Sequence, residues 1–167
     1  MKVITYPDFF YYPNKIYEQL KKLKFYDVGS FNTKYDCNDT WPGLRSDDLK
    51  EVSSILYWNI LQLLQLKGHG LNIYKEITMH SHIRLENDEK NDWIHVDATD
   101  TALIFISTTN TESGTKFYKN DLLINDVKFI QGNCVYFETG IPHTAYGHHG
   151  NDIDNGRMTI NIFMHHN

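Results

Sequence analysis

The sequence predicts a mainly β fold with N-terminal helices, a double-stranded β-helix (jelly roll) with the helices packed on one sheet. Near residue 70 the chain changes from segments with helical periodicity to short apolar runs separated by turn residues. Eight such runs follow one another, which is the strand number of a double-sheet jelly roll. Because no repeat or linker divides the 167 residues, we expect a single domain over 1–167, with a helical support region at 1–70 and a jelly-roll core at 71–167.

Two helices are predicted in the N-terminal half. Residues 14–25 carry apolar side chains at helical spacing. Residues 46–67 begin at Ser46, a residue type that caps helices, and end before Gly68. The apolar residues of this second helix recur every three or four positions, so they form one broad face suited to lying on a sheet.

The C-terminal half is predicted to contain eight strands. The predicted strands are 76–85, 92–97, 101–107, 115–119, 126–130, 133–138, 143–147 and 157–164. Turn residues cluster at 89–91, 110–114, 131–133 and 151–156.

The last predicted strand, RMTINIFM, alternates most clearly. One face carries methionine and isoleucine and should pack on the helices, while the other carries Arg157, Thr159, Asn161 and Phe163 and should line the interior of the barrel. A buried arginine needs an anionic partner. Its strand neighbours supply none, so we expect a ligand carboxylate on the Arg157 guanidinium.

The segment WIHVD at 93–97 places an imidazole and a carboxylate two residues apart. On a strand, His95 and Asp97 would share a face. A histidine and a carboxylate are two thirds of the facial triad that holds non-heme Fe(II) with open positions, and the third ligand must be a histidine from elsewhere in the fold. His143, in GIPHTAYG, is the best candidate.

These residues resemble the signature of the Fe(II)- and 2-oxoglutarate-dependent dioxygenases, which is an HxD motif, a distal histidine and a downstream Arg or Lys on the last barrel strand. The segment SGTKFY at 113–118 is similar to the GGTxFY hairpin of that family, and WPGLRSDDL at 41–49 looks like small bacterial and bacteriophage-associated members. The resemblance covers roughly residues 76–164. It implies a bound Fe(II), and oxidation of a small-molecule or peptidyl substrate coupled to conversion of 2-oxoglutarate to succinate and CO2.

The resemblance also implies roles for particular residues. The metal ligands would be His95, Asp97 and His143, and the distal carboxylate of 2-oxoglutarate would bind Arg157 and Thr159. Candidate substrate contacts, facing the pocket from neighbouring strands, are His82, Arg84 and Asn161. An exposed polar strand face paired with Glu86 is an equally open interpretation of His80, His82 and Arg84. Trp41 and Arg45 could either cover the active site or anchor a loop.

Two alternative interpretations use other features. His80, His82 and Glu86, with His143, resemble part of the cupin metal motifs, and the three share a strand face. The chain could also be a jelly-roll binding module without catalytic activity. Iron binding without co-substrate turnover would favour this second alternative.

Composition and charge narrow the possible partners and location. The formal net charge of −5 argues against a general nucleic-acid binder. The longest apolar stretch, residues 55–66, is interrupted by polar residues and falls short of a membrane span. Cys37 and Cys134 make no disulfide framework, and the N-terminus lacks the pattern of a signal peptide, so we expect a cytoplasmic protein.

Overall fold

Two antiparallel sheets form the frame of the computed structural model, which describes residues 2–88 and 93–167. The strands are β1 (Val3–Tyr6), β2 (Phe25–Tyr26), β3 (Leu44–Ser46), β4 (Tyr74–Arg84), β5 (Asp100–Phe105), β6 (Asn110–Lys119), β7 (Leu122–Phe129), β8 (Cys134–Phe137), β9 (His143–Tyr146) and β10 (Arg157–His166). The helices are α1 (Pro13–Leu20), α2 (Val28–Tyr35), α3 (Leu49–Val52) and α4 (Ser54–Leu66), and a 3₁₀ turn (Leu71–Ile73) precedes β4. The larger sheet has the order β1-β8-β5-β10-β4-β3-β2, and the smaller has the order β7-β6-β9.

This architecture confirms the predicted jelly roll. Seven of the eight predicted strands are present, although β6 and β7 begin several residues earlier than predicted. The predicted strand at 92–97 is wrong for residues 93–97, where His95 makes only an isolated bridge with His143. Residue 92 and the predicted turn at 89–91 lie outside the described residues.

The N-terminal half contributes three strands to the larger sheet, which the sequence analysis does not predict. β1 pairs with β8 at one edge, while β2 and β3 extend the sheet beyond β4 at the other. Strands of two to four residues are too short to show a period-2 pattern. Their positions are decided by pairing partners far along the chain.

The helices differ from the prediction at their ends. The first ends at Leu20, because the chain then enters β2. The predicted second helix is divided into α3 and α4 at Ser53, whose backbone is not helical (φ −153°, ψ 57°). Asp48, rather than Ser46, caps α3, and its carboxylate accepts from the Lys50 backbone N–H at 2.8 Å. Within the described residues no helix has the length and apolar character needed to cross a membrane.

β10 divides the interior into an apolar and a polar side, as predicted. Its apolar residues are fully buried in a cluster with the inner face of α4; they are Met158, Ile160, Ile162 and Met164. Its other face, which begins with Arg157 and Thr159, is turned toward the smaller sheet. The fold therefore places a polar cavity between the two sheets.

Candidate metal centre

The three predicted metal ligands lie together at the start of β9. His95 and His143 form a two-way backbone bridge, in which each N–H donates to the other's carbonyl at 3.0 and 2.9 Å. Asp97 faces both rings, with Oδ1 3.8 Å from His95 Nε2 and Oδ2 3.6 Å from His143 Nε2. One ligand atom from each residue lies within 4.8 Å of the others. A segment without strand structure thus reaches the site by pairing with β9 at one point.

Both histidines present the same ring nitrogen to the centre. The Nδ1 of His143 lies 2.9 Å from the Ile141 carbonyl, and the Nδ1 of His95 lies 3.0 Å from the Trp93 carbonyl. Because a carbonyl only accepts, Nδ1 carries the hydrogen and Nε2 of the neutral ring keeps its lone pair. Burial lowers the pKa of His143 and the Asp97 charge opposes that effect. Two neutral imidazoles and one carboxylate are the donor set that non-heme Fe(II) takes.

Asp97 is held by groups that the sequence analysis does not identify. Its Oδ2 accepts from the Thr101 hydroxyl at 2.9 Å. Its backbone carbonyl accepts from the Gly140 N–H at 3.1 Å and from the Thr139 hydroxyl at 3.1 Å. These bonds join the start of β5 and the loop before β9 to the same carboxylate residue. Thr139 acts through a contact between distant segments, which no local pattern marks, whereas Thr101 lies only four positions after Asp97.

Removal of the Thr101 hydroxyl should weaken metal binding without abolishing it. Thr101→Val keeps the side-chain shape but frees one Asp97 oxygen, and loss of such a supporting bond typically costs about 10- to 100-fold in metal affinity. Calorimetric titration with Mn(II) measures the change. Thr144→Val is the matched control, because that hydroxyl lies beside His143 but donates to the Ala145 carbonyl. Equal affinities in wild type and Thr101→Val would show that Thr101 does not orient Asp97.

A cavity of about 330 Å³ lies at the triad, within the range of roughly 300–1,000 Å³ typical of small-molecule sites. It is lined by residues of both sheets. All eight predicted site residues are among them: His82, Arg84, His95, Asp97, His143, Arg157, Thr159 and Asn161. The structure therefore brings together residues from β4, β9, β10 and the 93–97 segment, as the sequence analysis expects.

Arg157 is held firmly in the cavity wall. It is only 3% exposed, its Nε donates to the Ser113 hydroxyl at 3.0 Å, and one Nη donates to the Gly114 carbonyl at 3.2 Å. Its guanidinium also lies 5.0 Å from the centre of the Phe129 ring. The Thr115 hydroxyl lines the same cavity and is buried without a hydrogen-bond partner in the described part of the chain. A cation and an unused hydroxyl fit the recognition of a carboxylate.

β4 contributes two polar residues, His82 and Arg84, to this region. His82 Nε2 donates to the Pro42 carbonyl at 2.6 Å and its Nδ1 accepts from the Asn161 amide at 3.2 Å, so both ring nitrogens are used. Enclosure, together with the nearby Arg45 charge, lowers the pKa of His82 well below its usual value. Arg84 is buried, lies opposite Arg157 in the strand register, and its Nε contacts Asp88 Oδ2 at 2.7 Å.

The cupin interpretation finds no support in this geometry. Its residues do not form a ligand cluster, since His80 Nδ1 donates to the Ser46 carbonyl at 3.0 Å and both nitrogens of His82 are occupied. Glu86 is exposed in the turn after β4. Among residues 2–88 and 93–167, the single group of three or more potential metal ligands is His95, Asp97 and His143.

The fold is shared with solved structures of low sequence identity. A Pseudomonas putida prolyl-4-hydroxylase aligns over 99% of this chain and 92% of its own, with a TM-score of 0.65 and 12% identity. The viral collagen prolyl hydroxylase of Paramecium Bursaria Chlorella virus-1 aligns over 98% and 88%, with a TM-score of 0.55 and 8% identity.

A third similar structure is that of SnoN, a non-heme alpha ketoglutarate dependent epimerase from nogalamycin biosynthesis. It aligns over 98% of this chain and 78% of its own, with a TM-score of 0.58 and 12% identity. SnoN has also been solved in complex with Fe3+, alpha ketoglutarate and nogalamycin RO. The sequence itself matches no protein-family profile and no curated protein. At these identities the likeness shows a common fold.

Proposed function

We propose that this protein is an Fe(II)- and 2-oxoglutarate-dependent oxygenase that oxidises a small-molecule or peptidyl substrate and releases succinate and CO2. One observation carries the proposal: the Nε2 atoms of His95 and His143 and the Asp97 carboxylate converge in the cavity that Arg157 also lines. Either feature alone is common in proteins. Together they supply a metal site and a fixed cation for a dicarboxylate co-substrate.

Each group has a separate role in this proposal. His95, Asp97 and His143 would hold the metal, and Arg157 would bind the distal carboxylate of 2-oxoglutarate, with Thr159 beside it. Bound Fe(II) would supply the oxidising chemistry through reaction with dioxygen and 2-oxoglutarate. The chain positions the reactants and excludes water, a task for which Leu103 contributes an apolar side chain to the cavity wall.

The similar structures support the general kind of activity. Two are prolyl hydroxylases, and the third, SnoN, was solved with iron and alpha ketoglutarate. The proposed location is the cytoplasm, because Cys37 and Cys134 are both free and Cys134 is fully buried. One domain remains the proposed organisation, with the amendment that residues 1–70 also supply strands to the larger sheet.

Co-substrate binding tests the proposal directly. With Mn(II) in place of iron, calorimetry should detect one molecule of 2-oxoglutarate per chain, and Fe(II)-loaded protein should form succinate slowly even without a substrate. Metal-free protein is the control and should bind 2-oxoglutarate more weakly, because it lacks the metal end of the site. Absence of 2-oxoglutarate binding in the Mn(II) protein would refute the assignment. Iron binding without succinate formation would favour the non-catalytic jelly-roll module.

A further inference from the structure

Arg45 points into the metal cavity from the third strand of the larger sheet. In the register of that sheet Arg45 lies opposite His82, and His82 lies opposite Thr159. Directly opposite residues of antiparallel strands project from the same face, so the three form one row across β3, β4 and β10. All three line the cavity. Arg45 is therefore a third buried arginine on this surface, beside Arg84 and Arg157, and it lies one row along from Arg157 and two strands away.

Aromatic rings hold the Arg45 side chain in place. Its guanidinium carbon lies 4.3 Å from the centre of the Trp41 ring and 5.7 Å from the centre of the Phe163 ring. The residue is only 9% exposed. Stacking of this kind fixes the guanidinium plane while leaving the N–H groups at its edge available to a ligand.

Arg45 and Trp41 each have one buried hydrogen-bond donor that the described part of the chain leaves without an acceptor. Arg45 Nε and Trp41 Nε1 are both buried, and neither has a hydrogen-bond partner among the described residues. Arg45 Nη1 lies 3.9 Å from an oxygen of the Asp39 carboxylate, which is half exposed. Burial lowers the pKa of Arg45 to about 10, which indicates that these surroundings compensate its charge poorly. An unpaired buried donor on a charged group is costly, so an anionic ligand would be bound strongly here.

Arg45 also lies at the boundary between the cavity at the metal centre and a neighbouring cleft. Together with Asp97, it lines both the metal cavity and an adjoining cleft of about 360 Å³. The cleft is bounded by Phe31 and His80, which are not part of the metal cavity. The guanidinium of Arg45 is therefore within the wall that the cleft and the cavity share.

We infer that Arg45 and the indole N–H of Trp41 bind a carboxylate or similar oxyanion of the primary substrate, with its aryl or aliphatic body in the cleft beside Phe31. The inference rests on the proposed function and adds a substrate class, namely small anionic molecules or acidic peptide side chains. In the proposed function, Arg157 binds the distal carboxylate of 2-oxoglutarate and is not available to the substrate. A carboxylate of 2-oxoglutarate itself is the other source of the same chemistry, and the experiment separates the two.

The test compares anions with neutral molecules of the same shape. Mn(II)-loaded protein saturated with 2-oxoglutarate is titrated with phenylacetate, benzoate and phenyl phosphate, and with phenylacetamide and benzamide, followed by tryptophan fluorescence and calorimetry. At least one anion should bind at least ~10-fold more tightly than its neutral counterpart. Arg45→Met, which keeps the length and removes the charge, should weaken that binding by about 10- to 100-fold and leave Mn(II) and 2-oxoglutarate affinities within about threefold. The affinity of Arg45→Lys for the anion should lie between that of the wild type and that of Arg45→Met.

The other outcomes are decisive as well. If no anion binds better than its neutral counterpart, or if Arg45→Met does not alter anion binding, the inference is overturned. If Arg45→Met weakens 2-oxoglutarate and spares the added anions, Arg45 serves the co-substrate and the substrate assignment fails. Circular dichroism excludes misfolding, and Arg45→Lys carries the test if Arg45→Met does not fold. Repeating the anion titration without metal or 2-oxoglutarate, in wild type, Arg45→Met and Arg157→Met, tests Arg45 even if the proposed oxygenase function fails: only Arg45→Met should weaken the anion.

Discussion

Replacing Asp97 with alanine is expected to abolish metal binding. Asp97 supplies the only negative charge among the three ligands and faces both Nε2 atoms. Its loss removes a ligand and leaves a divalent cation against two neutral rings. The effect on Mn(II) affinity should therefore exceed the factor of about 10 to 100 expected for loss of an outer supporting group. His95→Ala should behave in the same way, and calorimetry or the electron paramagnetic resonance of bound Mn(II) measures both.

His80→Ala is the matched control for this experiment. His80 is a ligand in the cupin interpretation, but in the structure its Nδ1 donates to the Ser46 carbonyl. Wild-type metal affinity is expected for His80→Ala and for His82→Ala. Retention of metal by Asp97→Ala, together with its loss in these two variants, would reverse the assignment. His143→Ala loses a ligand under both interpretations and does not separate them.

Arg157→Ala should act on the co-substrate and leave the metal alone. A buried, charge-assisted contact that loses one partner costs roughly 2 to 5 kcal/mol. At about 1.4 kcal/mol per factor of ten, this weakens 2-oxoglutarate binding by roughly 30-fold to several thousand-fold. Arg157→Lys should recover only part of the loss, because an ammonium cannot reproduce the planar fork fixed by Ser113 and Gly114. Calorimetry of Mn(II)-loaded protein measures the change.

Two controls accompany this variant. Mn(II) affinity should match the wild type, since the guanidinium of Arg157 is held by Ser113, Gly114 and the Phe129 ring. Arg84→Ala tests the neighbouring cation, which lies opposite Arg157 in the β4–β10 register. Equal 2-oxoglutarate affinity in wild type and Arg157→Ala would show that Arg157 does not bind the distal carboxylate. Arg84 would then be the first candidate for that role.

The sequence predicts the jelly roll well where the two faces of a strand differ in environment. In β10, Ile160 and Ile162 are fully buried against the helices, while Thr159 and Asn161 face the cavity. Alternation of this kind is a property of the strand itself, so it can be detected without knowledge of the partner.

The same reasoning fails at residues 93–97, which carry two of the proposed metal ligands. Its apolar residues Trp93, Ile94 and Val96 are 45%, 53% and 56% exposed, so their β-favouring character does not reflect a buried strand. His95 and Asp97 meet His143 because of one backbone bridge to β9, which is a long-range contact that local pattern cannot encode. The candidate ligands can be chosen from their chemistry, whereas the backbone geometry that brings them together cannot be read from the local sequence.

The position of Arg45 illustrates a second limit. Its three-residue strand is too short to show alternation, and its direction depends on pairing with β4. From the sequence alone, covering the active site and anchoring a loop are equally open for Arg45. The register places Arg45 in the same row as His82, in the wall of the cavity.

The bridge between His95 and His143 also bears on how the chain would respond to metal. His143 follows Asp97 by 46 positions, so an ion held by both would act as a reversible crosslink closing a long loop. Crosslinks over loops of this size restrict the unfolded chain by about 3 to 5 kcal/mol in the chain-entropy treatment. In the folded protein the bridge already holds the two segments in register, so little further ordering would accompany binding. Metal supply would then raise the free energy of unfolding of the chain as well as support the proposed activity.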